Sequence, residues 1–227
     1  ELSKCFYYVI TWVFDENSGR VRPATIAETP GTLQLQESEN STTVTIERKE
    51  PTETHRTLGA WIDGVEGQQT AYEILLQKSK QFARAIAMSS IARQTARRAY
   101  HNVYLPSLSY SLATTSLLRE QFKKVESSSI AALLTKMGYN RCTPTEVVFG
   151  PTDRLGIGMR NLYTEQGIAK IVQCLKHIRN GGQVGKLMTI AIQWFQKRCG
   201  VSWPILEYPE KQIPHAEGVW FISLQQF

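Results

Sequence analysis

The patterning of the sequence changes period at Gly67, and that change limits the architectures open to the chain. Before it, apolar residues come in short β-like runs; after it, they recur every three to four residues over long stretches. Strands gathered at one end and helices at the other describe an α+β chain, not β–α units alternating around a parallel sheet. Residues 5–14, "CFYYVITWVF", are aromatic and β-branched and read as one buried strand. Asp15 to Gly19 reads as a turn, punctuated by Asn17-Ser18-Gly19. Short strands are predicted at 32–36 and 43–48, with a polar loop between them, and a strand over 56–62 closes the region. Its Gly59 is a weak strand residue unless something must come close to the backbone. The spacing predicts a small antiparallel β unit over residues 1–66.

Beyond Gly67 a helix is predicted over 69–88, with Ala71, Ile74, Leu75, Phe82 and Ile86 on one stripe. Ser89-Ser90 can cap a second helix over 91–104, which Pro106 ends. A third runs over about 118–137 and stops at Gly138. Residues 142–159 read as a Pro/Gly-rich extended loop. Helices follow over 161–180 and 184–199, joined at Asn180-Gly181-Gly182, and the tail ends in a strand-like "GVWFISL" at 218–224. The expected division is a β unit (1–66), a basic helical part (67–140) and further helices with a tail (141–227).

Charge follows the same boundary. Residues 1–66 hold six basic and eleven acidic residues, and the remainder holds twenty and nine. Between Leu76 and Lys124 nine Lys/Arg face a single acid, Glu120, with Tyr72, Phe82, Tyr100 and Tyr104 in or beside that stretch. Basic residues interleaved with aromatics suit a nucleic-acid backbone. The bland reading is solvated helix faces and core aromatics, the better account of Phe82 on its apolar stripe. Four dispersed cysteines suggest neither a disulfide framework nor a zinc knuckle, and Cys174 with His177 lacks a second ligand pair. His55, His101, His177 and His215 lie in no nucleophile-elbow context, and no Gly-rich loop follows a strand. No run is long enough to span a membrane, no signal peptide is visible, and the expected setting is intracellular, nucleus or cytoplasm. The absence of an initiator Met suggests a piece of a longer polypeptide.

Taken in order, "LSKC", "HRTLGAWID", the basic helices, "YLPSLSYSL", "FKKVESSSIAALLTKM" and "LGIGMRNLYTEQGIAKI" resemble the C-terminal half of a retroelement reverse transcriptase, most closely the non-long-terminal-repeat type. Leu2-Ser3-Lys4-Cys5 resembles motif D and Leu58-Gly59-Ala60-Trp61 the primer grip. Tyr104-Leu105-Pro106 with Tyr110 resembles the thumb's leucine-proline segment, and Phe122 to Met137 the helix after it. Leu155-Gly156-Ile157-Gly158 departs from the family's Gly-Gly-Leu-x-Leu spelling.

The resemblance implies the end of a palm with its primer grip, a helical thumb and a connector, together holding an RNA/DNA template–primer duplex beside the upstream fingers and palm. It makes Lys4 a candidate general acid toward the pyrophosphate leaving group, the alternative being a solvated lysine. Leu58 and Gly59 would lie against the primer backbone. Lys78, Lys80, Arg84, Arg93, Arg97 and Arg98 are candidate phosphate contacts, some of them ordinary surface charges. The Mg²⁺ pair and its aspartates would belong to the intact parent, an RNA-directed DNA polymerase, and this chain alone should be inactive. Rival readings are a non-enzymatic basic binding module, a decayed element, or an unrelated domain with an acidic protein partner.

Overall fold

The computed structural model describes residues 5–36, 43–57, 60–65, 67–207, 219–225 and 227. The chain divides into two compact units, Glu1–Gly67 and Gln68–Phe227. Strands build the first and helices the second, an α+β organisation.

In the first unit β1 (Phe6–Tyr8) lies parallel to β5 (Val44–Lys49), Phe6 opposite Glu47, while β4 (Leu33–Leu35) runs antiparallel on the other side, Leu33 opposite Ile46. The sheet is therefore mixed, which corrects the expectation of a purely antiparallel unit. The long excursion between β1 and β5 gives the chain room for a parallel crossover. Part of that excursion is a separate ribbon of β2 (Trp12–Asp15) and β3 (Arg20–Pro23). At its turn the Asp15 carboxylate accepts from the Asn17 amide (3.2 Å) and the Ser18 hydroxyl (2.7 Å), and Gly19 takes the left-handed φ of 64°. The expected single buried strand over 5–14 is thus two strands, and Trp12 and Phe14 stand exposed. A run apolar on both faces needs cover on both, and a unit this small offers little; its buried apolar residues among those described are Ala24, Ile46, Pro51 and Ala60.

The strand expected over 56–62 is a hairpin, β6 (His55–Thr57) against β7 (Ala60–Ile62), with Thr57 opposite Ala60. Asp63 then turns the chain, its Oδ1 accepting from Val65 N (3.0 Å) and Gly67 N (2.7 Å). A Cβ on Gly67 would lie 2.4 Å from the Asp63 carboxylate, so glycine permits this approach.

The second unit starts with α1 (Gln69–Met88), whose Ala71, Leu75, Ser79 and Ile86 face inward. Next come α2 (Arg93–Ala99), a π-helical turn (Tyr100–Tyr104) and α3 (Leu105–Leu112), one continuous rod with Pro106 inside it. The expected stop at Pro106 is corrected by that turn: Leu105 N–H bonds back five residues to Tyr100 O. The widened turn eases the clash a proline ring makes in the helix before it.

After Leu117, α4 (Arg119–Met137) ends at Gly138 in the left-handed conformation, φ 85°. Ser79 on α1 donates to Val125 O on α4, and Lys136 near the end of α4 donates to Ser89 O at the end of α1. The two helices therefore run side by side in the same direction. The α2–α3 rod returns between their ends, since Lys78 Nζ reaches Ser107 O (3.0 Å) and Ser116 N reaches Gln68 Oε1 (2.9 Å). Inside, Ser129 donates to Tyr104 Oη (3.1 Å) and Tyr104 to Ser79 Oγ (3.0 Å), so three buried hydroxyls join three helices. Leu75, Tyr100, Leu108, Phe122, Leu133 and Leu162 are central to the core.

The expected extended loop at 142–159 contains α5 (Thr145–Phe149) and a short 3₁₀ turn (Thr152–Arg154). Val148 on α5 is an anchor the loop reading missed, 1% exposed. Then α6 (Leu162–Asn180) and α7 (Gln183–Cys199) form a hairpin, with Gly181 at φ 62° between them. The tail expected to be a strand is a helix, α8 (Val219–Gln225). A helix pairs its own backbone groups within the segment. Trp220 Nε1 donates to Ala113 O (2.9 Å) and holds α8 to the bundle.

Candidate nucleic-acid interface

The six basic residues singled out in the sequence, Lys78 to Arg98, are all exposed, and among the described residues none of them forms an ion pair. Their settings about the helices differ. Lys80 and Arg84, one turn apart on α1, point away from the buried stripe of that helix. Arg98 likewise lies opposite buried Ala96 and Tyr100. Lys78 is engaged with the Ser107 carbonyl.

Arg93 and Arg97 flank the buried face and lie over glycines. A Cβ on Gly138 would come within 2.8 Å of the Arg93 guanidinium carbon, and one on Gly158 within 3.2 Å of an Arg97 nitrogen. Arg93 thus covers the C-terminus of α4, where a cation is favoured by the exposed carbonyls. Arg97 and Arg160 lower the His101 pKa, after desolvation, the larger cause. The outward set is Lys80, Arg84 and Arg98.

Of the aromatics interleaved with these charges, Phe82, Tyr100 and Tyr104 pack into the core, and Tyr72 is half-buried against it. Tyr100 and Tyr104 are buried, Phe82 stacks on Tyr104 with centroids 4.7 Å apart, and Tyr100 donates its hydroxyl to Arg160 O at 2.5 Å. Burial raises the pKa of both tyrosine hydroxyls. Lys4, Leu58 and Gly59 lie outside the described residues.

A cleft of about 380 Å³ opens between α4 and the segment from Arg141 to Asn161. It adjoins a recess of about 420 Å³ that shares Arg119, Thr145, Phe149 and Asn161. Ile130, Leu134, Val148 and Phe149 give it an apolar wall, and Arg119, Lys123 and Arg141 line it with positive charge. Lys123 pairs with Glu120 (2.7 Å), but Arg119 and Arg141 have no ion pair among the described residues.

Glu126, 4% exposed, also lines the cleft. Its Oε1 accepts the Leu162 N–H and its Oε2 the Asn161 amide (3.2 Å), while Asn161 Oδ1 caps α6 by accepting from Tyr163 and Thr164 N–H. Burial outweighs the Leu162 hydrogen bond and pushes the Glu126 carboxyl up to about 7.

Two buried polar residues on α6 escaped the sequence reading. Gln166 grips the Leu117 backbone with both ends of its amide, accepting N–H (3.1 Å) and donating to C=O (3.2 Å). Lys170 donates to Ser116 Oγ (2.7 Å) and Ser223 Oγ (2.5 Å) and lies 5.5 Å from the Trp220 ring. A polar residue within an amphipathic helix gives no sequence sign of facing inward, beyond its place on the apolar stripe.

A Mg²⁺ pair needs converging carboxylates, and among the described residues there is no group of three His, Cys, Asp or Glu that could hold a metal. No described helix is long and apolar enough to cross a membrane. No family model, curated protein or solved structure matches the chain.

Proposed function

We propose that the helical unit binds the sugar–phosphate backbone of nucleic acid, as the thumb and connector of a retroelement reverse transcriptase would, gripping an RNA/DNA template–primer duplex. The observation that carries this reading is the outward set Lys80, Arg84 and Arg98, exposed, without carboxylate partners among the described residues, and outside the apolar core. Cations that serve neither packing nor ion pairing are free to neutralise phosphates. The two-metal chemistry of such a polymerase belongs, in this reading, to aspartates outside residues 1–227, and Lys4, Leu58 and Gly59 would approach the nucleotide and primer.

The test is binding of a blunt RNA/DNA hybrid across a salt series. Affinity should be sequence-tolerant and fall steeply with salt. The triple variant Lys80→Glu, Arg84→Glu, Arg98→Glu should bind at least about tenfold more weakly and with a shallower salt slope, by about 0.9 per lost phosphate contact. Equal affinity of variant and parent, with the fold retained by circular dichroism, would remove the basis of the proposal.

A further inference from the structure

The geometry points to the cleft between α4 and residues 141–161 as a site for one unstacked nucleotide, with its phosphate on Arg119 and Arg141 and its base against Phe149 and the aliphatic wall. The inference rests on the nucleic-acid reading and deepens it. Three features converge. The volume of about 380 Å³ lies within the about 300–1,000 Å³ typical of small-ligand sites. The wall pairs one aromatic ring with branched aliphatic side chains, the lining on which a flat base is held without regard to sequence. The cations occur where the phosphate of such a base can reach them, and Arg119 and Arg141 have no ion pair among the described residues.

Below about pH 7 the carboxyl of Glu126, the acid that lines the cleft, does not oppose an anion there. Both oxygens of Glu126 are occupied by Leu162 and Asn161, and the group holds its proton up to about pH 7. Glu146 lines the adjoining recess beside Arg119, which places the phosphate toward the Arg141 end. Thr143 and Thr145, whose hydroxyls donate to Asn140 O and Glu146, keep oxygen lone pairs that can accept from the base edge. The basic helix faces would hold a duplex, and this cleft would take a single-stranded unit beside it.

Two sources could supply that unit, a free nucleotide or an overhang of the bound nucleic acid, and the experiment separates them. The full chain is titrated with adenosine 5′-monophosphate, with inorganic phosphate, and with RNA/DNA hybrids that are blunt or carry a short single-stranded overhang. The overhang hybrid should bind about tenfold tighter than the blunt one. Thr145→Trp, which fills the cleft at an exposed position without changing charge, should erase that advantage and leave blunt-hybrid affinity unaltered. Arg119→Gln with Arg141→Gln should do the same. Saturable binding of the mononucleotide, lost in Thr145→Trp, identifies the free-nucleotide source; an overhang effect without it identifies the strand end. If neither appears, or if phosphate binds as well as the mononucleotide, the site is overturned while blunt-hybrid binding still stands. Loss of blunt binding in the outward-charge variant is a separate failure, that of the parent reading.

Discussion

Glu126 shows how one side chain can couple protonation to stability. Its carboxyl titrates near 7 in the folded chain because burial penalises the anion, against about 4.3 when unfolded. Between those values the folded state holds the proton and the unfolded state does not. Stability from this group is therefore full below about pH 4.3 and declines as pH rises to about 7, by on the order of 3 kcal/mol. Arg119, Lys123 and Arg141 line the same cleft, and the Leu162 hydrogen bond opposes the shift. Thermal melts at pH 5 and pH 8 should show a drop for the parent that is absent in Glu126→Gln; an equal drop in both would discount this carboxyl. Gln166 supplies the uncharged counterpart. Gln166→Leu leaves the Leu117 N–H and C=O buried and unmatched and should cost about 2–4 kcal/mol in denaturant unfolding. A loss under about 0.5 kcal/mol would mean water replaces the amide.

At the scale of elements, the hairpin of α6 and α7 depends on one close approach. A Cβ on Gly185 would sit 2.1 Å from the His177 carbonyl oxygen, a backbone atom that cannot swing aside. Gly185→Ala should destabilise the unit by about 1–3 kcal/mol through forced separation of the helices. Gly181→Ala meets open space and bears only the strain of φ 62°, about 1–2 kcal/mol, without disturbing the packing. Unfolding midpoints of the two, with α7 amide exchange as a second readout, distinguish them. The long helices were legible from the 3.6-residue stripe of α1, α6 and α7 and from the glycine stops of α4 and α6 at Gly138 and Gly181. The continuation through Pro106 was not, because the π turn that admits proline is an adjustment of backbone geometry without a residue code. The helix α8 was misread for a related reason: "VWFISL" suits either conformation, and its contacts with α6 and Ala113 decide between them.

The whole molecule divides where the sequence changes period, and its helical unit closes a core from Leu75 to Leu162. Residues 68–227 expressed alone should keep the helical circular dichroism and cooperative melt of the full chain; a molten profile would show that residues 1–67 complete the core. The asymmetry of charge was readable from composition, yet its division among working parts was not. Arg93 covers a helix end, Lys78 holds a carbonyl, and only position in three dimensions separates them from Lys80, Arg84 and Arg98. The cleft was hidden, since Arg119 comes from α4 while Arg141 and Phe149 come from the segment after it, most of which the sequence reads as an extended loop. The parallel course of α1 and α4 has a consequence in time as well as space. The hydrogen bond from Ser79 to Val125 spans 46 residues, so during synthesis α1 leaves the ribosome long before the helix that covers its apolar face. For those few seconds, at about 5–20 residues per second, the nascent chain presents a hydrophobic stripe that the α2–α3 rod covers only in part, and a message truncated before Arg119 would leave the rest open to aggregation and to the cell's chaperones.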